Sequence, residues 1–283
     1  MAGIFDNKIV IAFDGPDGSG KTSAIQHIKK ELENLHANPM FQLPRPIKVY
    51  SEHALKSSIQ GQAFYELMEG GHLSDDLIGV GALFNWGYHV QNVIPAILDQ
   101  YDVVLIDRFR PSFLAYQIFA DKHVFIEDIF ERFLHREKEL GVTPDYFYLR
   151  SSVERSDGLL RAREKASGEQ LSYHETKPAS YKRDLLRGFD EFFFTDRYNF
   201  AKKSTIIDLD KEENGTQPNL EDFHELVFEK FLNEYVDQLC SNVRASFRES
   251  HAKNYKNTFT RRLITPMTDS DVRGGETAIP TKD

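Results

Sequence analysis

Cysteine occurs once in 283 residues, at Cys240, so the chain can close no internal disulfide and fits a reducing compartment. Cys240 follows Leu239 in a helical pattern, which reads as a buried and inert thiol. No apolar run approaches the ~20 residues of a membrane span. The first strand-like segment begins within eight residues of Met1, leaving no room for a secretory signal. Positive charge is in deficit, with 35 Lys and Arg against 44 Asp and Glu, a net charge of −9. An acidic chain has no general attraction for nucleic acid or an anionic membrane, so any polyanion site must be local. No internal repeat is visible. Together these absences lead us to expect a soluble, cytoplasmic protein. Aromatic residues, by contrast, are plentiful: 22 Phe and 12 Tyr supply core for one large domain or two small ones.

The most informative stretch is Lys8-Ile9-Val10-Ile11-Ala12-Phe13-Asp14-Gly15-Pro16-Asp17-Gly18-Ser19-Gly20-Lys21-Thr22. An apolar run ends at a glycine-rich turn and a helical segment follows. Gly15, Gly20, Lys21 and Thr22 fill the G-x-x-x-x-G-K-[ST] pattern in the strand–loop–helix context it requires. Glycines let backbone N–H groups converge on phosphate oxygens, and the helix presents its positive end to the same anion. Lys21 would neutralise the terminal phosphates, and the Thr22 hydroxyl would bind Mg²⁺. Residues Gly15, Pro16, Asp17, Gly18, Ser19, Gly20, Lys21 and Thr22 are therefore expected to hold a nucleoside triphosphate, ATP.

Along the chain, strands are expected at about 8–13, 47–51, 103–107, 145–149 and 204–209, and helices at about 21–36, 59–69, 112–121, 125–140, 153–163, 179–201 and 219–239. A further helical stretch follows Ser74 to about Gln100, but Gly79, Gly81, Gly87 and Pro95 weaken it. Either something approaches that helix backbone or the helix kinks or breaks. Val103-Val104-Leu105-Ile106-Asp107 is uninterrupted, apolar and β-branched, as a central parallel strand should be. Strands alternating with helices predict an α/β fold: a five-stranded parallel sheet with helices on both faces. Residues 1–240 form this domain, with a polar lid at about 161–178. From 241 to 283 the pattern changes to a basic helical extension and a disordered tail. Arg244, Arg248, Lys253, Lys256, Arg261 and Arg262 face only one acid, Glu249. That stretch is either a solvated helix face or a local contact for nucleic acid or another partner.

In open parallel sheets ligands bind beyond the carboxyl ends of the strands. One such end delivers Asp14 and the glycine-rich loop; another delivers Asp107-Arg108. Asp107 can hold Mg²⁺ or cap a turn, and Arg108 suits a multi-donor grip on phosphate. Asp107-Arg108-Phe109-Arg110-Pro111-Ser112-Phe113-Leu114-Ala115-Tyr116-Gln117 resembles the D-R-[YF]-x-x-S-x-x-A-Y-Q segment of thymidylate kinases, and Phe13 to Thr22 is similar to that family's phosphate loop. Further matches are His89-Val90, Ile94-Pro95-Ala96, Pro144-Asp145 and Leu160-Arg161-Ala162-Arg163. The resemblance implies a P-loop kinase fold over about 8–240, ATP as donor, and Mg²⁺ on Thr22 and Asp107. It implies catalytic roles for Lys21, Arg108, Arg161 and Arg163, the last two from a lid that closes over ATP, with Lys165 a further candidate. Asp17 would bond the acceptor's 3′-hydroxyl, Arg108 would grip its phosphate, and Ser112 and Tyr116 would line its sugar and base. A homodimer is implied as well.

The departures fall on the acceptor side. The family carries an arginine on the helix after strand two; spacing from Gly61 puts Tyr65 there. The family's Arg-Glu-Pro strand end is Ser51-Glu52-His53 here, and its base-contacting arginine is missing near Trp86. No arginine lies between Arg45 and Arg108. Arg110, Tyr65 and Trp86 are the candidates to compensate, Trp86 serving equally as core or as a base-stacking face. The leading expectation is an ATP-dependent kinase of a thymidylate-like deoxynucleotide. The alternatives are a kinase of a deoxynucleoside or a modified pyrimidine, free or in DNA, and an ATP-binding switch protein that transfers no phosphate.

Overall fold

Alternation along the strands builds the layers. In the computed structural model, β1 (Ile9–Asp14) is buried throughout, yet successive residues serve opposite faces. Val10 and Ala12 enter one core, while Ile9, Ile11 and Phe13 enter the other, as the two-residue repeat of a strand dictates. The same division holds in β3 (Val103–Asp107) and β4 (Asp145–Arg150). With β2 (Val49–His53) and β5 (Ser204–Asp208) they form one all-parallel sheet in the order β2-β3-β1-β4-β5. The predicted α/β fold, with five parallel strands and helices on both faces, is the one observed. The structure describes residues 8–264 apart from 55, 57, 169, 199–202 and 212–218; at 220 and from 249 on it describes the backbone alone.

Helix α1 (Lys21–Asn34) packs on one face, its Ala24, Ile25, Ile28 and Leu32 joining Phe223, Val227, Phe231 and Leu239 of the final helix. The opposite face is covered by α2 (Ile59–Glu69), α3 (Asp75–Tyr88), a short α4 (Ile94–Ile97), α5 (Arg110–Phe113), α6 (Glu127–Leu140) and α8 (Ala179–Phe194), with α7 (Val153–Ser167) preceding α8. The chain thus leaves neighbouring strands β1 and β3 toward opposite faces, which opens a crevice between their carboxyl ends.

Several helix limits differ from expectation for local reasons. The stretch from Ser74 does not break but widens: α3 passes through a π-helical turn, His89–Val93, directly into α4, where Pro95 stands. Its glycines also admit close neighbours. A Cβ on Gly81 would stand 2.3 Å from the Phe64 ring. The segment expected as a helix at 112–121 starts earlier, as α5, and widens into a π-helical turn at Leu114–Ala120. Helix α7 runs four residues past its expected end, through Ser167 to a left-handed Gly168, so the lid loop begins later than expected. The last helix, α9 (Leu220–Ile264), is 45 residues long. It continues unbroken past 240, and Val243 is buried in the same core as Leu239. Arg244 donates to the Phe41 carbonyl (2.7 Å), which fastens the start of the basic stretch to the body. The side chains of Lys253, Lys256, Arg261 and Arg262, and the expected disordered tail from 265, lie outside the described residues.

Candidate active site

The loop between β1 and α1 is shaped by close approach. A Cβ on Gly15 would sit 2.3 Å from the Leu149 carbonyl oxygen, and one on Gly18 would sit 2.6 Å from that of Ser156. Only glycine fits such contacts. Gly20, left-handed at φ 79°, turns the chain into α1 so that Lys21 is its first residue. The Lys21 ammonium folds back on the loop and donates to the carbonyls of Gly15 (3.0 Å) and Pro16 (2.6 Å) and to Ser19 Oγ (3.2 Å). Burial disfavours its charge, and Arg108 adds repulsion; Asp107, Asp17 and Asp14 offset only part, leaving the pKa at about 8. The Thr22 hydroxyl donates to Asp107 Oδ2, while Asp107 Oδ1 is buried with no hydrogen-bond partner among the described residues. A carboxylate with one orphaned oxygen beside a threonine hydroxyl fits a divalent cation.

Asp14 organises the loop after β3. Its Oδ1 accepts from the backbone N–H groups of Phe109 (3.1 Å) and Ser112 (3.0 Å) and from Ser112 Oγ (2.6 Å). Burial raises its pKa, an effect those bonds oppose. Arg108, held left-handed at φ 69°, donates its N–H to the Phe13 carbonyl (2.9 Å). This strained geometry, which costs of order 1–3 kcal/mol, aims the guanidinium into the crevice. There it forms an ion pair with Asp17, lies 5.0 Å from the Tyr116 ring centroid and reaches Ser112 Oγ at 3.5 Å. Tyr116 donates its hydroxyl to Asp17 Oδ2 (2.6 Å). Burial would raise the Asp17 pKa, but Arg108 and Lys21 outweigh it and hold it near 2. Asp17 is thus a carboxylate at neutral pH.

Two cavities meet at this knot. The phosphate cavity is lined by the loop residues, Asp107 and Arg163, the acceptor pocket by Phe64, Trp86 and Ser112, and both by Asp17, His53, Tyr65 and Arg108. Tyr65 therefore borders both cavities. Trp86, 2% exposed, is packed among Phe109, Phe113, Phe130 and Phe133, with Phe113 stacked on it at 5.8 Å. It supports the pocket wall as part of the aromatic core. Arg110 does not do what spacing suggested. It is fully buried on the far side of Phe109, donates Nε–H to the Tyr146 hydroxyl (2.8 Å), stands 3.1 Å from Glu137 and lines neither cavity. Its place in α5 turns it inward, because Asp14 captures the preceding turn. Arg163 lines the phosphate cavity, paired with Glu175 at 2.9 Å, whereas Arg161 is exposed on α7 and lines neither cavity.

The polar lid holds residues that sequence pattern did not single out. His174 enters the acceptor pocket edge-on to Tyr116 (5.0 Å between centroids) and bonds the Tyr181 hydroxyl at 2.9 Å. The Tyr173 backbone N–H donates to Glu69 of α2 (3.1 Å), which ties the lid to that helix. His53, facing Asp107 across the β2–β3 register, joins both cavities. Burial lowers both histidines to about 4, so neither adds charge at neutral pH.

A family model described as thymidylate kinase matches residues 13–213. The chain belongs to the thymidylate kinase family. Curated relatives include the thymidylate kinase of Limosilactobacillus reuteri (strain DSM 20016), 31% identical over 182 residues covering 60% of this chain and 79% of the relative. That of Wolbachia pipientis subsp. Culex pipiens is 26% identical over 224 residues, covering 74% and 98%. Among solved structures, the thymidylate kinase from Ehrlichia chaffeensis shares the fold with a TM-score of 0.55 at 17% identity, over 79% of this chain and 98% of that one. As a thymidylate kinase family member the chain is a nucleotide phosphotransferase that uses ATP with a divalent metal and acts on a thymidylate-like substrate. Among the described residues no helix is long and apolar enough to cross a membrane.

Proposed function

We propose that this cytoplasmic kinase moves the ATP γ-phosphate onto dTMP or a close pyrimidine relative, with the donor held over Lys21 and the acceptor over the Asp17–Arg108–Tyr116 knot. That knot, at the junction of two cavities and across from Lys21, is the observation carrying the reading. The transferred group needs little covalent help from the protein, so positioning and charge neutralisation do the work. In the ATP complex Lys21 exchanges its loop carbonyls for phosphate oxygens. Asp17, ionised at neutral pH, accepts from the acceptor's 3′-hydroxyl, and the Tyr116 ring crowds the place of a ribose 2′-hydroxyl. Arg108 swings from Asp17 to the acceptor phosphate. Ser112 spends its hydroxyl on Asp14, so it acts by fixing the Arg108 loop. Among the described residues no group of three or more His, Cys, Asp and Glu could hold a metal alone, so Thr22 and Asp107 would hold Mg²⁺ jointly with the triphosphate. Bound there, the ion would supply positive charge that offsets the charge of the transferred phosphate. Arg163 reaches ATP by leaving Glu175 when the lid closes, and Arg161 follows from the same helix; closure also keeps water from the phosphate.

The test is ADP release with dTMP, dUMP, 5-hydroxymethyl-dUMP, thymidine and single- or double-stranded DNA as acceptors. dTMP should stimulate release most; stimulation by thymidine alone or by DNA would replace this acceptor with a nucleoside or a polymer reached through 244–262, and no stimulation at all would leave an ATP-binding switch. Arg108→Ala should lower kcat/KM for dTMP by about 10²–10³-fold with little change in KM for ATP. A reversed pattern would put Arg108 on the donor.

The same reading includes a homodimer. Ile59 and Leu67 of α2 and Leu77, Val80 and Phe84 of α3 are 45–83% exposed, and together they form an apolar face whose burial against a second copy would remove large side chains from water. Sedimentation should find a dimer for the wild type and a monomer for Phe84→Glu; a wild-type monomer would reject the assembly.

A further inference from the structure

Four Lys and Arg side chains line the phosphate cavity: Lys21, Arg108, Arg163 and Lys56. Three are already engaged, Lys21 by loop oxygens, Arg108 by Asp17 and Arg163 by Glu175. Lys56 differs. Its ammonium lies 4.0 Å from the Tyr65 ring centroid, and among the described residues no carboxylate pairs with it. The backbone beneath it is fixed: the Lys56 N–H donates to the His53 carbonyl (2.9 Å), and its own carbonyl accepts from Gln62 Nε2 (3.1 Å). A flexible lysine held over an aromatic face loses part of its freedom. Tyr65, in turn, borders both the phosphate cavity and the acceptor pocket, and it stands where sequence spacing puts the family's arginine.

We infer that Lys56 grips the acceptor phosphate, with Tyr65 as its positioning residue. The inference rests on the proposed monophosphate acceptor and names the group that binds its dianion opposite Arg108. An acceptor phosphate entering the junction brings two negative charges, and Arg108 must leave Asp17 to meet it. Lys56 needs no partner exchange, since its ammonium points from an exposed loop over the rim of that junction. The arginine missing from α2 is thereby replaced from a different element, the turn after β2. A lysine there offers a point charge rather than a planar fork, so it holds the phosphate without dictating its rotation.

The experiment is titration calorimetry with dTMP, thymidine and ATP on the wild type, Lys56→Ala, Lys56→Arg and Tyr65→Leu, together with steady-state kinetics. Lys56→Ala should weaken dTMP about tenfold, the low end expected for one charge-assisted bond. Thymidine affinity should stay within twofold, since the nucleoside lacks the phosphate, and ATP affinity should fall by much less than that of dTMP. KM for dTMP should rise with kcat little changed, Lys56→Arg should restore most of the affinity, and Tyr65→Leu should reproduce part of the loss. Unchanged dTMP affinity in Lys56→Ala, with wild-type turnover intact, would overturn the inference alone. A loss confined to ATP would move Lys56 to the donor side and overturn it too. Wild-type protein that neither binds nor phosphorylates dTMP would sink the proposed acceptor and this inference with it.

Discussion

Lys21→Ala should lower kcat for phosphoryl transfer by about 10²–10³-fold. The ammonium opens α1 at the point where the loop and the helix N-terminus converge. Of the other cations lining the same cavity, Arg108 and Arg163 are tied to Asp17 and Glu175, and Lys56 stands over the Tyr65 ring, away from the helix N-terminus. A folded variant, judged by an unchanged melting curve, that kept wild-type turnover would remove Lys21 from catalysis. Its pKa adds a second reading of the same residue. Burial lowers the ammonium to about 8 in the free protein, so the charged form declines as pH rises through that value. kcat/KM for ATP, which reports the free protein, should therefore fall above about pH 8. A bound triphosphate favours the ammonium, so the matching limb in kcat should lie higher. Lys21→Arg, whose guanidinium does not titrate there, should lose the limb in whatever activity it retains. A limb that persists unchanged in Lys21→Arg would belong to another group.

Why the donor side was legible in sequence and the acceptor side was not follows from how each is built. The phosphate loop is continuous in the chain, and its glycines are forced by backbone approach to Leu149 and Ser156; such constraints leave a fixed spacing. The strands were legible because burial on both faces demands unbroken apolar runs, as in β3. The acceptor side is assembled from α2, the turn after β2, the loop after β3 and the lid. His53 and His174 reach that pocket, and Lys56 the phosphate cavity beside it, only through topology, and no local pattern distinguishes them from surface residues. Arg110 illustrates the converse. Two residues from Arg108, it looked like a spare phosphate ligand, but the tight turn on Asp14 reverses its direction into the core. The helix expected at 219–239 and the helical extension expected after 241 prove to be one helix, because a drop in apolar content at residue 241 does not end a helix that still has Val243 and Arg244 to anchor it.

Arg110 and Glu137 lead to the largest expected effect on stability. The guanidinium is 0% exposed, its Nε–H goes to the Tyr146 hydroxyl, and both Nη groups lack hydrogen-bond partners among the described residues. Glu137 is the acid beside it, at 3.1 Å. Burial pushes Glu137 up to about 8 even though Arg110 opposes the shift. The two partners are unequal. Glutamate deprived of arginine takes a proton and becomes neutral, whereas arginine deprived of glutamate cannot shed its charge. Glu137→Leu, which takes away the polar group facing the buried guanidinium, should therefore cost about 1.5–3 kcal/mol, Arg110→Met less, and the double variant less than Glu137→Leu alone. Urea unfolding of the three proteins measures this, and equal losses in the two single variants would show that the pair is not electrostatically asymmetric. The pH dependence has a definite sign. The folded protein binds the Glu137 proton more tightly than the unfolded chain, so this group's stabilisation is complete below about 4.5 and is lost as pH rises through about 8. Relative to Glu137→Gln, which does not titrate, the wild type should lose stability from pH 5 to 8; a gain over that interval would mean that the carboxylate, and not the acid, is the form the core prefers.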